Sequence, residues 1–123
     1  MYALYVVLLN KLKTKKHFNM IIAVALTENH LRSLIDVHFG RCDWYGIHNS
    51  VTKETTYVEN PNRYLEEGAG CKSVDFLKDL NVELVVAGRF GNKVVDLFKK
   101  KEIQMVISSE NQTFEQIIKH IKK

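Results

Sequence analysis

A chain of 123 residues, 46% of them hydrophobic, is enough for one domain with its own core, and its two cysteines offer no disulfide framework. The net charge of +4 suggests a nucleic-acid binder, but residues 1–19 hold Lys11, Lys13, Lys15 and Lys16 and no acidic residue, so removing those 4 from 18 leaves 14 Lys and Arg against 14 Asp and Glu. A formally neutral remainder excludes a broad basic face, and the apolar run of residues 1–9 falls short of the about 20 residues that span a bilayer.

In chain order, residues 1–9 are apolar and the lysines follow them, the reverse of a secretory signal's order. Residues 1–19 therefore read as an N-terminal extension, disordered or not translated, with Met20 as an alternative start and residues 20–123 as a single domain. Residues 20–26 form an apolar, partly β-branched run, which predicts a buried strand. A long loop over 27–43 follows. Trp44–Asn49 and Thr55–Glu59 alternate as strands do, and Asn60, Pro61 and Asn62 then break the pattern. Past Gly68, the residues Cys71, Val74, Leu77 and Leu80 recur at helical spacing on one apolar face, where Cys71 reads as packed. Leu84–Ala87 predicts a short strand. Asn92 reads as the cap of a helix that buries Val94, Val95, Leu97 and Phe98. Residues 103–107 predict the next strand, and Thr113 with Gln116 makes a capping box ahead of Phe114, Ile117, Ile118 and Ile121. The order β-β-β-α-β-α-β-α predicts an α/β fold, a mixed five-stranded sheet flanked by helices, with right-handed parallel crossovers. Trp44, Tyr45, Tyr57 and Tyr64 are expected to pack its antiparallel part.

Five of the six glycines sit in three turns, at Gly40, at Gly68 and Gly70, and at Gly88 and Gly91. The expected topology brings all three turns to the carboxyl ends of the strands, where open α/β sheets bind ligands. Glycine there permits close approach and leaves amide N–H groups available to an anion. The first turn also carries His38 and Cys42, an imidazole and a thiol four residues apart. Together these features point to a site for something anionic and metallic, with His38 and Cys42 as candidate metal ligands. Arg41 and Arg89 would offset the charge of a sulfide cluster.

The stretch His38-Phe39-Gly40-Arg41, the helix start Gly68-Ala69-Gly70, and the run from Asn81 to Gly88 followed by Gly91 and Lys101-Glu102-Ile103 resemble the dinitrogenase iron–molybdenum cofactor-binding family. That family includes nitrogenase accessory proteins of the NifX type and the carboxyl-terminal domain of NifB, and the resemblance covers about residues 20–107. It implies a ribonuclease H-like sheet in strand order 3-2-1-4-5. It also implies a carrier that transiently binds an iron–sulfur-based cluster, the iron–molybdenum cofactor or its precursor. Relatives usually carry small residues where this chain has Arg89 and Phe90.

The expected protein is thus a non-enzymatic, cytoplasmic monomer that meets a cluster donor or acceptor protein and neither nucleic acid nor membrane. Its cargo is expected to touch Phe39, Gly40, Arg41, Gly68, Ala69, Gly70, Gly88, Arg89 and Gly91, with His38 and Cys42 on the metal. One or two protein ligands suit a cargo that must leave, whereas a permanent cluster usually takes four cysteines. A regulatory or scaffold module without metal is the first rival. A metal-dependent nuclease is the second, although such chemistry gathers several carboxylates at one edge and only Asp36 and Asp43 are near.

Overall fold

The computed structural model describes residues 4–7 and 20–121; the lysines at 11–16 lie outside them. Its strands are β1 (Leu4–Val7), β2 (Ile21–Leu26), β3 (Trp44–Asn49), β4 (Thr55–Glu59), β5 (Leu84–Ala87) and β6 (Gln104–Ser108), and its helices α1 (Ala69–Asp79), α2 (Asn92–Lys100) and α3 (Phe114–Ile121). One sheet contains all six strands in the order β1-β6-β5-β2-β3-β4. From β2 onward this is the expected mixed sheet of five strands in order 3-2-1-4-5. The difference lies at its edge, where β1 pairs antiparallel with β6. An expected extension thus supplies four residues of strand. Its Tyr-Val-Val sequence favours strand structure, but a strand so short has no periodic pattern to betray it.

β2 is the hub, antiparallel to β3 and parallel to β5, which is in turn parallel to β6. Alternation along it sends Ala23 and Ala25 to one face and Ile22, Val24 and Leu26 to the other, and both sets are buried. A central strand covered on both sides needs this continuous apolar run. On the first face, Val74 and Leu77 of α1 and Val94 and Phe98 of α2 pack on the small side chains of β2 and on Val85 and Met105. On the second, α3 presses Phe114 and Ile117 against Val24, Leu26 and Val86. Both α1 and α2 are followed by a residue in the left-handed region, Asn81 at φ 65° and Glu102 at φ 59°, which turns the chain into the next strand.

These pairings put the carboxyl ends of β2, β4, β5 and β6 at one edge of the sheet, together with the start of β3. The connections over residues 27–43, 60–68, 88–91 and 109–113 therefore all emerge at that edge.

Candidate functional site

The turn that carries His38 is held by the residues on either side of it. Phe39 is 2% exposed, and its ring lies 5.8, 5.5 and 5.2 Å from those of Tyr45, Phe90 and Phe98. Burying one aromatic side chain contributes about 2–3 kcal/mol, which anchors a loop that has little regular structure. With Phe39 turned inward, His38 is turned out, its side chain 62% exposed. Asp36 fixes the turn from the other side. Its own N–H donates to the Ala25 carbonyl at 2.8 Å, and its carbonyl accepts from the Gly88 N–H at 3.1 Å. Its carboxylate accepts the His38 backbone N–H at 2.8 Å.

The three glycine turns meet around this loop. A Cβ on Gly40 would lie 2.6 Å from the Gly70 Cα, and one on Gly88 would lie 2.7 Å from the Val37 Cα. Backbone against backbone leaves no room for a side chain, so these glycines are required by packing alone. A Cβ on Gly70 would meet the Val94 side chain at 2.6 Å. Gly70 and Val94 each belong to the first turn of a helix, so α1 and α2 begin side by side. His38 bridges Arg89 in a parallel pairing. The histidine turn and two helix starts therefore share one place.

Those helix starts are open. Gly68 and Gly91 precede α1 and α2, neither has a side-chain cap, and neither first turn holds an acidic residue. The earliest amides that bond back are Lys72 to the Gly68 carbonyl and Val95 to the Gly91 carbonyl. The N–H groups of Ala69, Gly70, Cys71, Asn92, Lys93 and Val94 precede them and have no intrahelical acceptor. Gly68 needs to be glycine because its φ is +77°, a conformation costly for other residues. Gly91 has an ordinary φ of −72° and nothing within 4 Å of where a Cβ would be. Neither strain nor crowding explains its lack of a side chain. Asn92, expected as the cap of α2, is instead its first helical residue.

Several expected contacts point elsewhere. Cys42 is 0% exposed, and its thiol donates to the Phe39 carbonyl at 3.5 Å. Burial pushes that thiol up to about 12, so it is a neutral, packed group that offers no thiolate to the cleft. Phe39 likewise belongs to the core, and Ala69 is buried at 3%, backbone included. Arg41 donates from Nη1 to the carbonyls of Arg63 and Leu65 and from Nη2 to that of Glu66. It organises the segment leading to Gly68. Arg89 is exposed. Cys71 is half-buried in the first turn of α1. Of the aromatic residues, Tyr45 is fully buried and Tyr57 stands edge-on to Phe114, but Tyr64 is 82% exposed beneath the Arg63 guanidinium.

Residues beyond the expected set also contribute. Asn60, 0% exposed, donates to the carbonyls of Gly40 and Cys42 at 2.9 and 3.0 Å. It also accepts from the Asn62 N–H at 3.0 Å and the Ser73 hydroxyl at 3.4 Å. This one side chain ties the histidine loop to β4 and α1. On the α3 side, a depression of ≈ 340 Å³ is lined by Asp36, Val37, His38, Glu110 and Asn111 among others. It meets a second of ≈ 370 Å³ along Val37, Glu110 and Asn111. Their acidic lining contrasts with the amide-lined helix starts. Among the described residues, no group of three or more His, Cys, Asp or Glu could hold a metal ion. Nor is any helix among them long and apolar enough to cross a membrane.

The family model described as "Dinitrogenase iron-molybdenum cofactor" matches residues 20–123. No curated protein matches the chain. Among solved structures, the apo form of the orange protein from Desulfovibrio gigas is similar, with 24% identity, a TM-score of 0.79, and 83% of this chain and 86% of that one covered. A protein proposed to be NifB from Thermotoga is also similar, with 20% identity, a TM-score of 0.72, and 83% and 86% covered. At these identities the likeness concerns the fold.

Proposed function

The chain belongs to the dinitrogenase iron–molybdenum cofactor family, and on that premise we propose that it binds and hands on an iron–sulfur-based metallocluster. The cargo is of the iron–molybdenum cofactor or precursor type. One observation carries the reading: the exposed His38 turn lies against two adjacent helix starts that no side chain caps. A sulfide cluster is an anion, and free amides at a helix N-terminus attract anions. His38 supplies the metal ligand, since a neutral imidazole nitrogen suits iron. The amides following Gly68 and Gly91 bond to sulfide and Arg89 lends charge, while Gly40, Gly70 and Gly88 let the loop and the two helix starts pack closely together. Cys42 and Arg41 keep the loop in shape and do not touch the cargo.

A single protein ligand holds a cluster weakly enough to release it, as a carrier between a donor and an acceptor protein must. The protein does this as a cytoplasmic monomer and catalyses no reaction. Protein prepared without oxygen and offered an iron–sulfur cofactor precursor should gain iron, sulfide and a broad visible absorption. The second reading, a metal-free regulatory or scaffold module, draws on the packing that already requires glycine at positions 40 and 88. It predicts that the wild-type chain takes up no iron–sulfur species under the same conditions.

A further inference from the structure

Asp36 does more than shape a turn. Main-chain bonds pin it to both central parallel strands, through Ala25 at the end of β2 and Gly88 just past β5, so its carboxylate stands on a fixed base. That side chain is 18% exposed. Its Oδ1 accepts the His38 N–H at 2.8 Å and lies 3.5 Å from the His38 Nδ1. The same oxygen thus faces both the backbone and the ring of the histidine. A carboxylate facing Nδ1 favours a proton on that nitrogen, and the lone pair then resides on Nε2, at the far end of an exposed ring. A metal-bound histidine usually donates its other ring N–H to a carboxylate or carbonyl, which fixes the ring and makes the ligating nitrogen a better donor, and at 3.5 Å the Asp36 carboxylate is the group within reach of Nδ1 for that role.

We infer that Asp36 is a positioning residue for His38, holding it as the Nδ1–H tautomer and presenting Nε2 as the atom that binds the cargo. The inference rests on the reading of His38 as the metal ligand, but the tautomer can be measured with no metal present. An exposed histidine without such a partner prefers the Nε2–H form, and His120, exposed on α3, provides that reference within the same molecule.

The test is the ring-nitrogen NMR spectrum of the full, metal-free chain, recorded well above the usual imidazole pKa of about 6.5. Wild-type His38 should be mostly Nδ1–H while His120 is mostly Nε2–H. Asp36→Asn keeps an oxygen for the backbone N–H but removes the charge, and it should move His38 several-fold towards the ratio seen in His120. Cluster loading by Asp36→Asn should weaken on the order of 10–100-fold, and the same change in a His38→Ala background should cost nothing more. A wild-type His38 with the tautomer ratio of His120 overturns the inference without recourse to any variant. So does an Asp36→Asn protein with the wild-type ratio, even if His38 proves to bind the cluster. A strong Nδ1–H preference in a chain that takes up no cluster would instead uphold the role of Asp36 and remove the cargo reading.

Discussion

The helices on the two faces of the sheet begin differently, although all three start at the same edge. On one face, α3 opens with a reciprocal cap: the Gln116 N–H donates to the Thr113 hydroxyl at 3.2 Å and the Thr113 N–H to the Gln116 side chain at 2.8 Å. On the other, α1 and α2 open behind glycines with no side-chain cap. A capping side chain contributes about 1 kcal/mol, and this chain makes use of it only where no ligand is expected. Two adjacent helices left uncapped are a cost to stability that an incoming anion would offset. The same face holds the crowded glycine turns and the buried Cys42, and the turn between the two faces sends the exposed His38 to the rim of the depression on the α3 side. The face under α3 is an ordinary core.

Four changes would break or sharpen this contrast. The largest effect is expected from Gly40→Ala, which drives a methyl into the backbone of Gly70. Overpacking of this kind costs on the order of 3 kcal/mol, and denaturant unfolding should register it as a large loss. Near-wild-type stability would mean that the loop and α1 are not locked together. High pH should act on the same face. Cys42 and Tyr45 are both buried as neutral groups; burial pushes the thiol from an ordinary 9.0 to about 12 and raises the phenol well above its usual range. The unfolded chain loses these protons first, so their contribution is complete below about pH 9 and falls as pH rises towards about 12. Urea midpoints measured across that window should decline, and Cys42→Ala should flatten the decline. An unchanged slope in that variant would show that the thiol does not contribute.

Smaller effects separate the helix starts. Thr113→Ala removes the cap of α3 and should lower stability by about 1 kcal/mol while leaving any cluster binding untouched. Gly91→Asp should do the reverse. It supplies α2 with a cap and a favourable charge, a gain of a few tenths of a kcal/mol, yet it sets a carboxylate where the anion should sit. Thermal unfolding and cluster loading measured side by side would expose that trade. A Gly91→Asp protein that loads normally would remove α2 from the site.

Most of the scaffold was legible because its signals are local. The bounds expected for Trp44–Asn49, Thr55–Glu59 and Leu84–Ala87 coincide with β3, β4 and β5, where turn residues bracket short apolar runs. The Thr113–Gln116 box needs only a spacing of three. The convergence of the glycine turns was also legible, because strand direction fixes which loops share an edge. Orientation within the loop was not. Phe39 and Cys42 were expected at the cleft, yet the Phe39 ring turns inward to Tyr45, Phe90 and Phe98, which no local pattern links to it, and the buried Cys42 thiol donates to the Phe39 carbonyl. Asn60 looked like a simple break, because the bonds that make it a fastener reach 20 residues back and 13 forward. Glu110 and Asn111 lie in a plain polar connection, and only the fold brings them beside His38.

The central claim is that the exposed imidazole of His38, carried on a turn whose backbone packs against two open helix starts, is the protein's direct hold on a metallocluster. The most direct measurement is the iron and sulfide retained by wild-type and His38→Ala proteins after identical anaerobic loading and desalting, with Cys42→Ser as the packed-thiol control. His38→Ala should lose most of the bound iron, while folded Cys42→Ser and Cys71→Ser proteins should retain most of it. A His38→Ala protein that holds its cluster as well as wild type, or a folded Cys42→Ser protein that loses it, would contradict the account.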